Sequence, residues 1–535
     1  MPIARSSRLG ITLSAALAAG CLFGPTGASA QVTAYKLAVA EAMSSDKDVA
    51  AFYRARDFAP IWVSSDPEAS ARRSALLSAF EMASAHGLPD GKYQAAKLRG
   101  LMEAARSPRD RGRLEMELTR TYLDFATDLQ TGILTPSKVV ADIHREVPLR
   151  DASHYLDGIM GDNPSAFLRS LQPTNAEYAR LVKAKLDMER RLASGGWGPT
   201  VPATKLEPGM EGREVVLLRN RLIAMGYLPR TVSTRYDGAL QEAVQEFQRD
   251  HGLLTDGIAG SGTLAEINVP LEKRLQSIVV AMERERWLNR PRGDRHVLVN
   301  LTDYHARIVD FGKVTFKTRS VIGRNEDGRR SPEFSDVMEH MVVNPTWNIP
   351  RSIVTQEYLP QLQRNPYSNQ HLNVVDRRGR IVPRNAVNFA AYNASNFPFT
   401  MKQPPSERNA LGLVKFMFPN VYNIYLHDTP SKDLFSREER DFSHGCIRLS
   451  DPFDFAYALL ARQESDPKGV FQRILNTGRE TTVPLETPVQ VHLIYRTAVS
   501  PAKGRMNYRR DIYGRDARIW EALERAGVSL YSVQG

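Results

Sequence analysis

"IYLHDTPSKDLFSREERDFSHGCIRLSDP", residues 424–452, puts two histidines and a cysteine into a polar stretch that opens on a strand and closes on a helix. In the preceding "NVYNIYLH" the alternation sets Tyr425 and His427 on one strand face and turns Leu426 the other way. "DPFDFAYALL" reads as a helix, with Asp451 able to cap it and Pro452 at its first position. Between them, Cys446 sits in a Gly-bearing turn, two residues after His444 and two before Arg448. Cationic neighbours lower a thiol's pKa and favour the thiolate, so the flanks predict an activated nucleophile. The competing reading is a small buried core residue.

The N-terminus bears on that choice. "MPIARSSR" carries Arg5 and Arg8 and no acid, "LGITLSAALAAGCLFG" is apolar, and "ASA" at 28–30 offers small residues to a signal peptidase. Residues 1–30 read as a secretory signal cleaved before Gln31, which implies a periplasmic protein. A membrane anchor is disfavoured because the apolar run is short. Lipidation at Cys21 stays open, although Ala18 is a poor match to the bulky aliphatic residue of such sites. Cleavage would leave Cys446 as the mature chain's only cysteine, since the sequence has 2. A lone thiol in an oxidising compartment is a liability unless it is used.

The chain has 535 residues and a net charge of +11, two units of which come from Arg5 and Arg8. A basic exported surface argues for an acidic polymer such as the cell wall and against nucleic acid as the partner; charge spread over solvated faces remains the bland alternative. The apolar share of 42% is enough for several cores.

Outward from the motif the chain divides. Residues 31–205 form a helical scaffold domain, with apolar residues at helical spacing in "SALLSAFEMASAHGL" and "RLEMELTRTYLDFATDLQTG" and a Gly/Pro-rich linker at the end. Residues 206–269 carry helix faces Val215, Leu218, Leu222, Met225 and Leu240, Val244, Phe247. Residues 270–294 read as an amphipathic linking helix with Leu271, Leu275, Ile278, Val279 and Met282 on its buried face. From 295 to 500 the period shifts to strands, in "HVLVNL", "HARIVDF", "KTRSVIG", "VKFMF" and "PVQVHLIYRTAV", interrupted by an Asn- and Pro-rich insertion at about 350–410 with little periodicity. Such an insertion predicts a mobile cap. Residues 501–535 are a C-terminal extension. The fold class is multidomain α+β: helical scaffold, three-helix module, and a mostly β domain with an inserted capping subdomain.

"IYLHDTP" followed sixteen positions after its histidine by "SHGCIRLSDP", with "NPTWNIP" and "NALGLVKFMF" upstream, resembles the L,D-transpeptidase family with its YkuD-type catalytic domain. "AVQEFQRDHGLLTDGIAG" at 243–260 resembles the peptidoglycan-binding domain of wall enzymes. Scaffold, wall-binding module and catalytic domain in this order are similar to the family's large periplasmic branch. The resemblance implies that Cys446 attacks a donor tetrapeptide at the carbonyl following the L-centre of diaminopimelate. D-alanine leaves, and the thioester passes to an acceptor amine, giving a 3→3 cross-link without metal, ATP or other cofactor. It implies His427 as general base, oriented by the Asp428 carbonyl, and His444 in the pocket near the oxyanion site. Gly445 would let its own amide and that of Cys446 face the oxyanion. Tyr425, Ser443 and Arg448 are candidate substrate contacts, Arg448 being equally open to a structural ion pair. Peptidoglycan stem peptides are the expected partners. Other wall-synthesis proteins are the class the helical domain could engage. The family is sensitive to carbapenems.

Three rivals remain. Water could take the thioester, making a carboxypeptidase or endopeptidase. His427, His444 and Cys446 could bind zinc. The protein could also be a non-catalytic wall-binding scaffold, and the module a spacer that has lost its ligand.

Overall fold

The computed structural model describes residues 26–43 and 46–530. The expected signal segment therefore lies mostly outside the described residues, as does Cys21; the first helix, Thr26–Ala42, spans the position before Gln31. Among the described residues no helix is long and apolar enough to cross a membrane.

The N-terminal region is helical, as the sequence predicts. Its longest helix, Pro108–Thr131, starts on a capping box in which the Ser107 hydroxyl and the Asp110 side chain each accept the other residue's backbone N–H. That helix packs with its neighbours around Trp62, Tyr122 and Phe125. The second module holds three helices, Arg213–Met225, Gly238–His251 and Ser261–Ile267. The predicted faces meet in one core of Val215, Leu218, Leu222, Leu240, Val244 and Phe247.

The third domain is built on strands β1 (Arg295–Asn300), β2 (His305–Asp310), β3 (Lys313–Gly323), β4 (Phe334–Val343), β5 (Trp347–Asn348), β6 (Asn373–Val375), β7 (Thr400–Gln403), β8 (Val414–Met417), β9 (Leu426–His427), β10 (Asp441–Ser443), β11 (Ile447–Leu449) and β12 (Thr481–Ile494). Nine of them form one sheet in the order β10-β3-β11-β9-β8-β4-β12-β1-β2, and β3 also pairs with β2, so the sheet closes on itself. Val297, Val299, Met341, Phe416, Leu426, Ile447 and Leu493 fill its interior.

Three segments differ from their sequence reading. The insertion is a compact subdomain: β5, β7 and β6 make a small sheet over a core that includes Val354, Leu362, Val374, Phe389, Phe397 and Met401. Its apolar residues are irregularly spaced and converge only in three dimensions. The linking helix, Leu271–Trp287, buries the predicted face and exposes Lys273 in its first half, but from Ile278 to Trp287 it is buried on all sides, Glu283, Arg284, Glu285 and Arg286 included. Each of those charges has a partner from another segment or turn. Arg284 lies between Glu333 at 2.6 Å and Asp516 at 2.8 Å, and Glu283 holds Arg286 at 2.7 Å. Finally, β4 lies in the middle of the sheet although "FSDVMEHMVV" shows no clean alternation.

The domains share cores. The C-terminal helix Arg515–Arg525 places Ile519, Trp520 and Leu523 against Leu275 and Val279 of the central helix and Val140 and Ile143 of the scaffold. The scaffold also reaches the nine-stranded sheet: the His144 N–H donates to the Glu333 carbonyl at 2.8 Å, and the His144 ring stacks on Tyr422 at 4.2 Å.

Candidate active site

Strand pairing sets up the site. β9 lies between β8 and β11, with Phe416 opposite Leu426 and Leu426 opposite Ile447. These three are fully buried on the core face. By alternation the other face carries Lys415, His427 and Arg448, which are cross-strand partners in that order. Cys446, one residue before β11, comes beside Tyr425, whose carbonyl accepts the Ile447 N–H at 3.1 Å. One sheet face thus holds the thiol, the phenol, an imidazole and two cations.

The turn that carries the thiol is fixed by short polar contacts. The Ser443 hydroxyl donates to the Cys446 carbonyl at 2.5 Å and accepts the Gly445 N–H at 3.1 Å. The Ser331 hydroxyl donates to the Gly445 carbonyl at 2.6 Å. Gly445 has φ +112°, a conformation that favours glycine, and a Cβ there would press on the Ile424 side chain at 3.1 Å. Support comes from afar: Tyr513 of the C-terminal extension donates to the Gly323 carbonyl, and Gly323 N–H donates to Ser331.

The Ser443 contact corrects one expectation. The Gly445 amide is taken by Ser443 and does not point freely toward an oxyanion. Among the described residues the Cys446 N–H meets no acceptor, which leaves it as the available donor of the pair.

His427 Nδ1 faces the Asp428 carbonyl at 2.5 Å, and the Leu411 backbone also hydrogen-bonds the ring. The Asp428 carboxylate is structural: it accepts from Leu413 N–H at 2.9 Å and Thr429 N–H at 2.7 Å, and pairs with Lys432 at 2.7 Å. Burial, then the neighbouring Arg448, pushes His427 down to about 3, so the imidazole is neutral at ordinary pH.

The thiol differs from the sequence reading. Burial pushes Cys446 up to about 11, outweighing the Tyr425 hydrogen bonds and the nearby Arg448 and Lys415, all of which favour the thiolate. Of the two flanking residues Arg448 acts on the sulfur and His444 does not; Lys415 joins from β8, and removal from water acts more strongly than both cations. At rest the site therefore holds a neutral thiol, whose Sγ donates to the Asn423 carbonyl at 3.5 Å, and a neutral imidazole on the same sheet face.

His444 turns away from both. Its Nε2 meets Glu357 of the insertion at 2.7 Å, and Arg329 pairs with the same carboxylate oxygen at 2.9 Å. Among the described residues no group of three His, Cys, Asp or Glu side chains could hold a metal ion. Arg448 makes no ion pair among the described residues, and its Nε is buried without a partner. Sequence reading missed Glu357, Lys415, Ser331 and Tyr513. Lys415 alone had a signal, as the single charge inside "VKFMF"; the others are brought in by tertiary structure.

A cavity of about 690 Å³ lies elsewhere, between the scaffold, the three-helix module and the 500–508 segment. Trp197, Tyr227, Phe247 and Tyr508 line it.

Comparison with known proteins adds the following. Residues 294–491 match the family described as the L,D-transpeptidase catalytic domain, residues 211–267 one described as "Putative peptidoglycan binding domain", and residues 47–184 a scaffold domain. A Haemophilus influenzae protein named "Putative L,D-transpeptidase" is 29% identical over 242 residues, which are 45% of this chain and 48% of that one. The chain thus spans about half the length of this curated relative. Among solved structures, an L,D-transpeptidase from Xylanimonas cellulosilytica is 16% identical, with 55% of this chain and 98% of that one covered and a TM-score of 0.16. One from Stackebrandtia nassauensis is 15% identical, with 56% and 97% covered and a TM-score of 0.22.

Proposed function

Since residues 294–491 form an L,D-transpeptidase catalytic domain, we propose that the protein is a periplasmic peptidoglycan L,D-transpeptidase that makes 3→3 cross-links through a thioester on Cys446. The observation that carries this reading is the single sheet face shared by Cys446 and His427, with Nδ1 of His427 on the Asp428 carbonyl.

Because thiol and imidazole are both neutral at rest, the proton moves during attack. His427 Nε2 takes the Sγ proton as sulfur bonds to the donor carbonyl carbon. The Cys446 N–H faces the oxygen as it gains charge. The imidazolium then protonates the departing amine, and the C–N bond to D-alanine breaks. In the second half an acceptor amine gives its proton to His427 and its lone pair to the thioester carbon. The C–S bond breaks and the proton returns to sulfur. One peptide bond is spent and one is made, so no external energy source enters. Tyr425 and Arg448 contact substrate. Ser443 holds the turn, and His444, tied to Glu357, joins the insertion to the pocket wall. The three-helix module serves wall encounter, and stem peptides are the substrate.

Product analysis tests the reading. Purified mature protein incubated with disaccharide-tetrapeptides is expected to release D-alanine and give a dimer whose fragmentation shows a diaminopimelate–diaminopimelate bond. D-alanine release with tripeptide as the sole product would assign the thioester to water and replace cross-linking with carboxypeptidase activity.

A further inference from the structure

The cations of the site contrast with the arginines of the interdomain core. Arg284, Arg286 and Arg515 each have a carboxylate within 3.1 Å. Lys415 and Arg448 have none within ion-pair distance among the described residues, nor does Arg324, whose N–H is held on the Ser443 carbonyl at 2.9 Å and whose charge acts on Arg448. The neighbouring acids are engaged elsewhere: Glu357 by Arg329 and His444, Asp428 by Lys432, and Glu480 by the Thr346 N–H at 3.1 Å. Lys415 and Arg448 also flank His427 in one cross-strand row. Burial works against both charges and holds each below its ordinary pKa. Both side chains are partly withdrawn from water without an ion pair, Glu480 alone favouring the charge on Lys415 from beyond pairing distance, and an arriving anion offsets that desolvation.

We infer that Lys415 and Arg448, backed by Arg324, form the seat of a free substrate carboxylate next to the scissile carbonyl, and that this row selects donors by that carboxylate. The inference rests on the acyl-transfer reading above. The seat adjoins the thiol, because both cations act on the Cys446 sulfur. The guanidinium of Arg448 supplies a planar fork for a carboxylate and Lys415 a point charge beside it. Two carboxylates of a donor stem lie close enough to the broken bond: that of the departing D-amino acid, and that on the side chain of the acylated residue.

The test measures the rate of Cys446 acylation by intact-protein mass spectrometry with three donor tetrapeptides: the free acid, the C-terminal amide, and the side-chain amide of the diamino acid. Wild type, Lys415→Gln and Arg448→Gln are compared, each corrected for thiol reactivity toward the neutral reagent iodoacetamide. One of the two amides is expected to acylate wild type about 10- to 100-fold more slowly than the free acid. That same amide should be nearly indifferent to either substitution, while the free acid loses about the same factor. Which amide behaves so identifies the carboxylate. Equal rates for all three donors on wild type, or free-acid acylation unchanged in both variants, would overturn the carboxylate seat while the acyl-transfer reading stands. No acylation of wild type by any donor would instead sink that reading. Lys415→Gln lies on the exposed side of its strand, so it keeps the test decisive should Arg448→Gln fail to fold.

Discussion

Two regions of this molecule bury arginines, and they treat them in opposite ways. In the central helix, Arg284 and Arg286 are enclosed with Glu333, Asp516 and Glu283, drawn from three segments of chain. Burial opposes the charge on Arg284, but the two carboxylates outweigh it and hold the guanidinium above its ordinary range. On the catalytic sheet, Arg448 stands beside Cys446 with its Nε unpartnered, and burial holds it below that range. The first arrangement fixes how three domains sit together. The second leaves a charge without an ion pair beside the thiol.

Removing an acid should separate the two regions most strongly. Glu333→Ala strips Arg284 and Arg515 of a buried partner, and a loss of about 3–5 kcal/mol is expected, read from the urea unfolding midpoint. Arg448→Gln in the same assay should change stability by less than about 1 kcal/mol, since no ion pair is broken, while donor acylation falls. Equal destabilisation by both would erase the contrast.

Next in size is the pH dependence of the thiol. Cys446 is raised to about 11 in the folded protein, so the thiolate fraction at neutral pH is smaller than for a free cysteine. Iodoacetamide alkylation should therefore keep rising through pH 9 toward 11. Lys415→Gln removes a charge that favours the thiolate and should move the curve to still higher pH. A plateau already reached near pH 7 would restore the activated-thiolate picture that the flanking residues suggest. The sign for stability follows: because the folded thiol holds its proton more tightly than the unfolded one, this contribution is full below the unfolded pKa and disappears as pH rises toward 11.

The smallest effect is expected at the cap. Glu357 ties His444 and Arg329 to the insertion. Glu357→Gln weakens a partly exposed contact and should alter acylation only a few-fold, with faster hydrogen exchange at residues 354–358. Unchanged exchange would place the subdomain's attachment elsewhere, on contacts such as the Thr346 N–H with Glu480.

These contrasts also explain what could be read from the sequence. The SHGC turn and the strand before it were legible because their information is local: alternation places Leu426 inward and His427 outward, and Gly445 marks a positive φ. The three-helix module was legible from its periodic faces. The central helix and its apolar face are legible, but the burial of its last turns is not, because "ERERW" looks solvated until Glu333 and Asp516 come in from 46 and more residues away. β4 was missed because Asp336, Glu339 and His340 break its alternation. The thiol's charge state could not be read from its flanks, since the cations at 415 and 448 are local or cross-strand features while the desolvation that outweighs them belongs to the whole fold. Glu357 had no signal at all; only folding brings it 2.7 Å from His444.

On the proposed mechanism the sulfur of Cys446 carries the substrate between two amines. Mature protein given donor tetrapeptide and no acceptor should gain, in its intact mass, the donor less its terminal D-alanine, and peptide mapping should place that mass on Cys446. A carbapenem should label the same residue once, and Cys446→Ala should gain neither mass. An adduct or a cross-link still formed by Cys446→Ala would contradict the account.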